Sequence, residues 1–68
     1  MKSKTLEMLD QIIKERRERL LRLQAAYDQV NENNSNSLIA LSQEITILHT
    51  EIDALKRFKE KLVKAGFS

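Results

Sequence analysis

The sequence predicts an all-α fold, a single antiparallel two-helix hairpin of coiled-coil type spanning residues 1–68. Three observations carry that expectation. Apolar residues recur at alternating steps of three and four through both halves of the chain. The repeat stops only at Asn31-Glu32-Asn33-Asn34-Ser35-Asn36-Ser37, where short polar side chains compete with the helix backbone and favour a cap, a turn and a second cap. No proline occurs and the one glycine, Gly66, lies near the C-terminus, so neither half contains a helix breaker. The expected boundaries are a helix over 4–31, a loop over 32–36 and a helix over 37–65.

In the first helix the stripe runs through Leu6, Leu9, Ile13, Leu20, Leu23, Tyr27 and Val30, with Arg16 in its one polar place. Taking Leu6 as an a position makes this a heptad stripe, the pattern of a helix packed on another helix. Ser3 or Thr5 can cap the free amides at its start, and the helix should end near Asn31 to Asn33. At a rise of about 1.5 Å per residue it is roughly 40 Å long. The charges from Lys14 to Arg19, followed by Arg22, admit a basic patch for nucleic acid or an acidic partner. Glu15 and Glu18 interleave them, however, and Lys14 with Glu18 and Glu18 with Arg22 are i, i+4 neighbours, which favours a solvated face.

The second helix repeats the alternation through Leu38, Leu41, Ile45, Leu48, Ile52, Leu55, Lys59 and Leu62. Ser35, Asn36 and Ser37 are all adequate N-caps, and Gly66 is a natural stop. So short a connection makes the helices antiparallel neighbours. Folding the chain at the loop sets Val30 against Leu38, Tyr27 against Leu41, Leu23 against Ile45, Leu20 against Leu48, Ile13 against Leu55 and Leu6 against Leu62, an a position meeting a d position each time. The same register places Ile12 beside Phe58 and Arg19 beside Glu51 on one edge, and Asp10 beside Lys56 on the other. Two layers depart from the rule: Arg16 faces Ile52 and Lys59 faces Leu9. Their stems can lie along the seam while the charges reach water, or they specify register; a basic mouth at the open end is the less favoured reading.

Further apolar residues lie off the seam: Met8, Leu21 and Ala26 on the first helix, and Ile39, Ala40, Ile47, Ala54 and Val63 on the second. Ala40, Ile47 and Ala54 recur every seven residues and form a second stripe, which one hairpin cannot cover. Ile39, Ala40, Ile47, Ala54 and Leu21 are therefore the expected partner-binding residues. Their expected cover is a second copy in a four-helix bundle or a helical partner protein.

The composition narrows the function classes. Twelve basic and ten acidic residues leave a net charge of +2, a mixed balance that disfavours a nucleic-acid footprint. Without cysteine there is no disulfide, thiolate metal site or thiol nucleophile, and the lone His49 cannot build a transition-metal site, so neither metal nor cofactor is expected. No apolar run of about 18 residues occurs and Met1-Lys2-Ser3-Lys4-Thr5 lacks a signal-peptide segment, so the expectation is a soluble cytoplasmic protein with no membrane partner. No catalytic constellation emerges from spacing. His49 falls beside Arg17 across the hairpin edge and reads as a solvated or hydrogen-bonded side chain. Tyr27 reads as a seam residue with its hydroxyl near the loop.

One string carries a family likeness. Ser37-Leu38-Ile39-Ala40-Leu41-Ser42-Gln43-Glu44-Ile45 resembles the Ser-Gln-Glu-Leu-Asp signature of the small aspartyl-phosphate phosphatases that drain sporulation phosphorelays. Those are also short antiparallel helical hairpins, and their first helix often carries a basic segment like Arg17-Glu18-Arg19-Leu20. The resemblance implies docking on a response-regulator receiver domain and assistance to water attacking its phospho-aspartate, with Ser42, Gln43 and Glu44 near the acyl phosphate. The signature's closing Asp, expected to carry the catalytic role, is Thr46 here, so the implied role is phosphatase or, without hydrolysis, receiver binder. Overall length, helix length and polar loop are also similar to the hairpin co-chaperones of type III secretion needle subunits. The residues themselves favour a non-enzymatic protein-protein interaction module, such as a regulator, adaptor or small chaperone. The phosphatase is the alternative.

Overall fold

The computed structural model describes residues 3–30 and 33–66. Two helices, α1 over Lys4–Gln29 and α2 over Ser35–Lys64, pack along one another, with no strand among the described residues. Their antiparallel sense is fixed by two ion pairs: Arg16 meets Glu51, and Asp10, earlier in α1, meets Lys59, later in α2. The result is a rod of 52 × 16 × 11 Å. Its radius of gyration is 15.6 Å, against about 11 Å for a compact globule of this length, so the interior is a seam rather than a core.

The helix ends follow from a few polar groups. Ser3 caps α1: its side-chain oxygen accepts from the Thr5 amide at 3.2 Å and its carbonyl accepts from the Glu7 amide at 3.0 Å. Glu7 lies in the first turn, where a carboxylate suits the helix dipole. The first helix stops at Gln29, because Val30 turns to extended backbone (φ −73, ψ 135) while its amide still donates to the Tyr27 carbonyl at 3.2 Å. This is two residues short of the expected end; Asn31, and Glu32 of the expected loop, lie outside the described residues.

The cap of α2 is Asn34, one residue before the Ser35–Ser37 group expected to supply it. Its side-chain oxygen accepts from the Ser37 amide at 3.4 Å and its carbonyl accepts from the Leu38 amide at 3.2 Å, so Ser35, Asn36 and Ser37 form the first turn instead. At the far end Lys61 and Lys64 lie in the last turn, where cations suit the dipole. Gly66 adopts φ +97, the left-handed stop that glycine reaches without strain.

Along the seam, Leu9, Ile13, Leu20, Leu48 and Ile52 are buried, and Leu23, Ile45 and Leu55 pack against this group half-covered. All eight occupy heptad positions assigned from sequence. The burial is uneven, however. It centres on the Leu20–Leu48 layer and the open end, whereas Val30, Leu38 and Leu41 near the loop are half-buried and Tyr27 is 40 % exposed. Val30 has already left the helix there, so α1 gives Tyr27 no further turn to close over it. The ring lies at the seam's edge beside Gln24, Asp28, Ser42, Ile45 and Thr46, with its hydroxyl free to reach water.

The seam cations settle differently from the sequence expectation. Glu51 pairs with Arg16 rather than Arg19, through the Arg16 Nε at 3.0 Å, and Asp10 pairs with Lys59 rather than Lys56. The physical reason is reach. Arg16 and Lys59 sit in the seam, run their aliphatic stems along it and emerge beside the acids flanking their layers, so snorkelling ends in an ion pair. Arg19 stays in the neighbourhood of Glu51 as part of the same groove wall.

Candidate functional site

The outside of the rod carries two distinct surfaces, one on each edge of the seam. The first follows from helical spacing on α2. Ala40, Ile47 and Ala54, seven residues apart, fall on one line down the helix. All three are exposed, Ile47 at 55 %. Ile47 lines a groove with Arg16, Arg19, Glu44, Leu48 and Glu51, so this line lies on the edge marked by the Arg16–Glu51 pair. Continuing each helix one or two turns adds Ile12, and Phe58 at 51 % exposure, to the same edge. The face is thus apolar at both ends and charged in its middle. Within that middle, Arg16 and Glu51 pair with one another, and no ion pair among the described residues engages Arg19 or Glu44.

The second surface is a groove of about 600 Å³ on the opposite edge, toward the open end. Ile13 lies at its base, and Leu21 and Val63, 66 % and 50 % exposed, lie toward its two ends, Leu21 on the loop side of the Arg16–Glu51 pair and Val63 beyond the Asp10–Lys59 pair. Both walls are continuous helix faces, from Asp10 to Leu21 on α1 and from Lys56 to Lys64 on α2.

These placements divide the residues singled out from sequence. Ala40, Ile47 and Ala54 come together. Leu21 does not join them and belongs to the other groove. Ile39 is 56 % exposed but turned about 100° around the helix from Ala40, in line with Thr46 of the Tyr27 side. Val63 and the lysines of the second groove were visible only as scattered positions, because their meeting depends on which edge of each helix the hairpin leaves open.

Ser42, Gln43 and Glu44 are exposed, and as consecutive helical residues they fan out rather than converge. Ser42 faces the Tyr27 side of the seam, and Glu44 faces the Arg16–Arg19 side. At the position of the signature's Asp, the Thr46 hydroxyl donates to the Ser42 carbonyl at 3.0 Å, and Thr50 repeats the pattern on the Thr46 carbonyl at 3.1 Å. His49 is exposed. Among the described residues no group of three or more His, Cys, Asp or Glu side chains is placed to hold a metal, and no helix is long and apolar enough to cross a membrane.

In class, then, the molecule is a helical hairpin with two unpartnered edges. No protein-family model, curated protein or solved structure matches the chain.

Proposed function

We propose that this chain is a non-enzymatic, cytoplasmic protein-interaction module whose Ala40–Ile47–Ala54 face is covered by a second copy, giving a four-helix bundle. The observation that carries the proposal is the exposure of Ile47, at 55 %, in heptad line with two alanines, on a molecule in which, among the described residues, Leu9, Ile13, Leu20, Leu48 and Ile52 alone are buried. Alanines on a helix line permit close approach of another helix, and a large apolar residue between them supplies the anchor. The charges on this face favour a second copy as occupant. A two-fold interface sets residue i against j and j against i, and this face offers one cation and one acid, Arg19 and Glu44, that no described ion pair uses.

Sedimentation equilibrium over a concentration series tests the reading. The expected result is a dimer that Ile47→Asp converts to a helical monomer, since the substitution removes the apolar anchor and puts a charge in the line between the two alanines. A monomer at all concentrations overturns self-association. The alternative reading, a receiver-directed phosphatase or receiver binder, draws on the Ser42-Gln43-Glu44 likeness, in which Thr46 stands where the signature has its closing Asp.

A further inference from the structure

The groove on the opposite edge carries a second inference, independent of self-association. We infer that it is a docking site for an acidic amphipathic helix of a different protein. Its walls supply five cations and three acids, an excess of two that equals the net charge of the whole chain. The rest of the molecule is therefore electrically balanced and the surplus is gathered here. Lys59 is engaged with Asp10, so the cations left for a ligand are Lys14 and Arg17 on α1 and Lys56 and Lys64 on α2. From Leu21 to the level of Val63, one turn beyond the Asp10–Lys59 pair, the groove runs about 22 Å, the length of four turns of a guest helix.

The apolar and the charged residues specify different parts of that guest. Leu21 and Val63 stand in water at 66 % and 50 % exposure toward the two ends of the groove, and an apolar stripe at i, i+3, i+4 and i+7 continued over four turns reaches both. The four cations, two on each helix, ask for Asp or Glu beside the stripe. A second copy does not meet that demand, because its equivalent groove brings the same positive surplus. Nucleic acid meets the cations but leaves Leu21 and Val63 uncovered.

The test uses two labelled synthetic helices of about five turns, each with a Leu stripe, one flanked by Glu and its twin by Lys, followed by fluorescence anisotropy against the full chain. The Glu helix binds, the Lys twin does not, and binding weakens as salt rises. Leu21→Gln weakens binding about tenfold by removing the largest apolar contact. Ile47→Asp leaves it unchanged. Leu21 and Lys56 are exposed, so both variants keep native helicity. Lys56→Glu supplies an independent arm, lowering affinity for the Glu helix and raising it for the Lys twin. Equal binding of the twins, no binding of the Glu helix, or indifference to both Leu21→Gln and Lys56→Glu overturns the assignment. So does a dimer that Leu21→Gln dissociates, which makes a second copy the occupant.

Discussion

Arg16 is the residue where seam and surface meet. It faces Ile52, one of the most buried side chains, yet its own side chain is 43 % exposed and its charge rests on a Glu51 side chain 44 % exposed. An ion pair that wet is worth at most about 1 kcal/mol, whereas a leucine covered in the same layer is worth roughly 1.5–3 kcal/mol. Arg16→Leu is therefore expected to raise the unfolding free energy by about 1 kcal/mol, read from urea denaturation; a loss of stability contradicts the snorkelled account. Thr46 yields a second prediction at this scale. Its hydroxyl is tied to the Ser42 carbonyl, and Ser42 and Glu44 face opposite edges, so an Asp at position 46 stands beside Ser42 and away from Glu44. Thr46→Asp is expected to change stability by less than about 0.5 kcal/mol and to leave the half-life of a phosphorylated receiver domain unaltered. Faster loss of label revives the phosphatase reading.

For the two helices, the period of the sequence is decisive. Leu9, Ile13, Leu20, Leu48 and Ile52 are buried because the heptad assigned them to the seam, and Ser3 caps because a serine preceding an apolar repeat has an amide within reach. What periodicity cannot specify is how long side chains are distributed around each layer. Glu51 and Asp10 were identifiable as paired acids, but their partners are the seam residues Arg16 and Lys59, because a flexible stem lets a cation reach beyond its own heptad position. The loop was legible as a loop while its capping atom was not, since Asn34, Ser35, Asn36 and Ser37 share the same capping chemistry. Asn34 makes the bond. Asn34→Ala should cost about 1 kcal/mol in thermal or chemical denaturation, whereas Ser35→Ala, inside the first turn, should cost nothing measurable. The reverse order moves the cap to Ser35.

Taken whole, the molecule has one seam and two open edges, and the edges differ in kind. One is an apolar line with a charged middle that can match itself; the other is a groove with a surplus of cations that cannot. The sequence made the first legible, as Ala40, Ile47 and Ala54 repeat with the helix. The second became visible only on folding, when Lys14 and Arg17 of α1 and Lys56 and Lys64 of α2 came to line one groove. With so little interior, the hairpin's stability is tied to whatever covers the first edge, and for a second copy that link has a measurable form. Assembly that favours the folded state makes stability depend on protein concentration, by about 1.4 kcal/mol in the association free energy for each tenfold dilution. The thermal midpoint followed by circular dichroism should accordingly fall on dilution. Ile47→Asp should abolish that slope and lower the midpoint, while Leu21→Gln, on the other edge, should leave both unchanged. A midpoint indifferent to concentration in the unsubstituted chain means that the seam alone holds the hairpin, and that the Ile47 line serves no second copy.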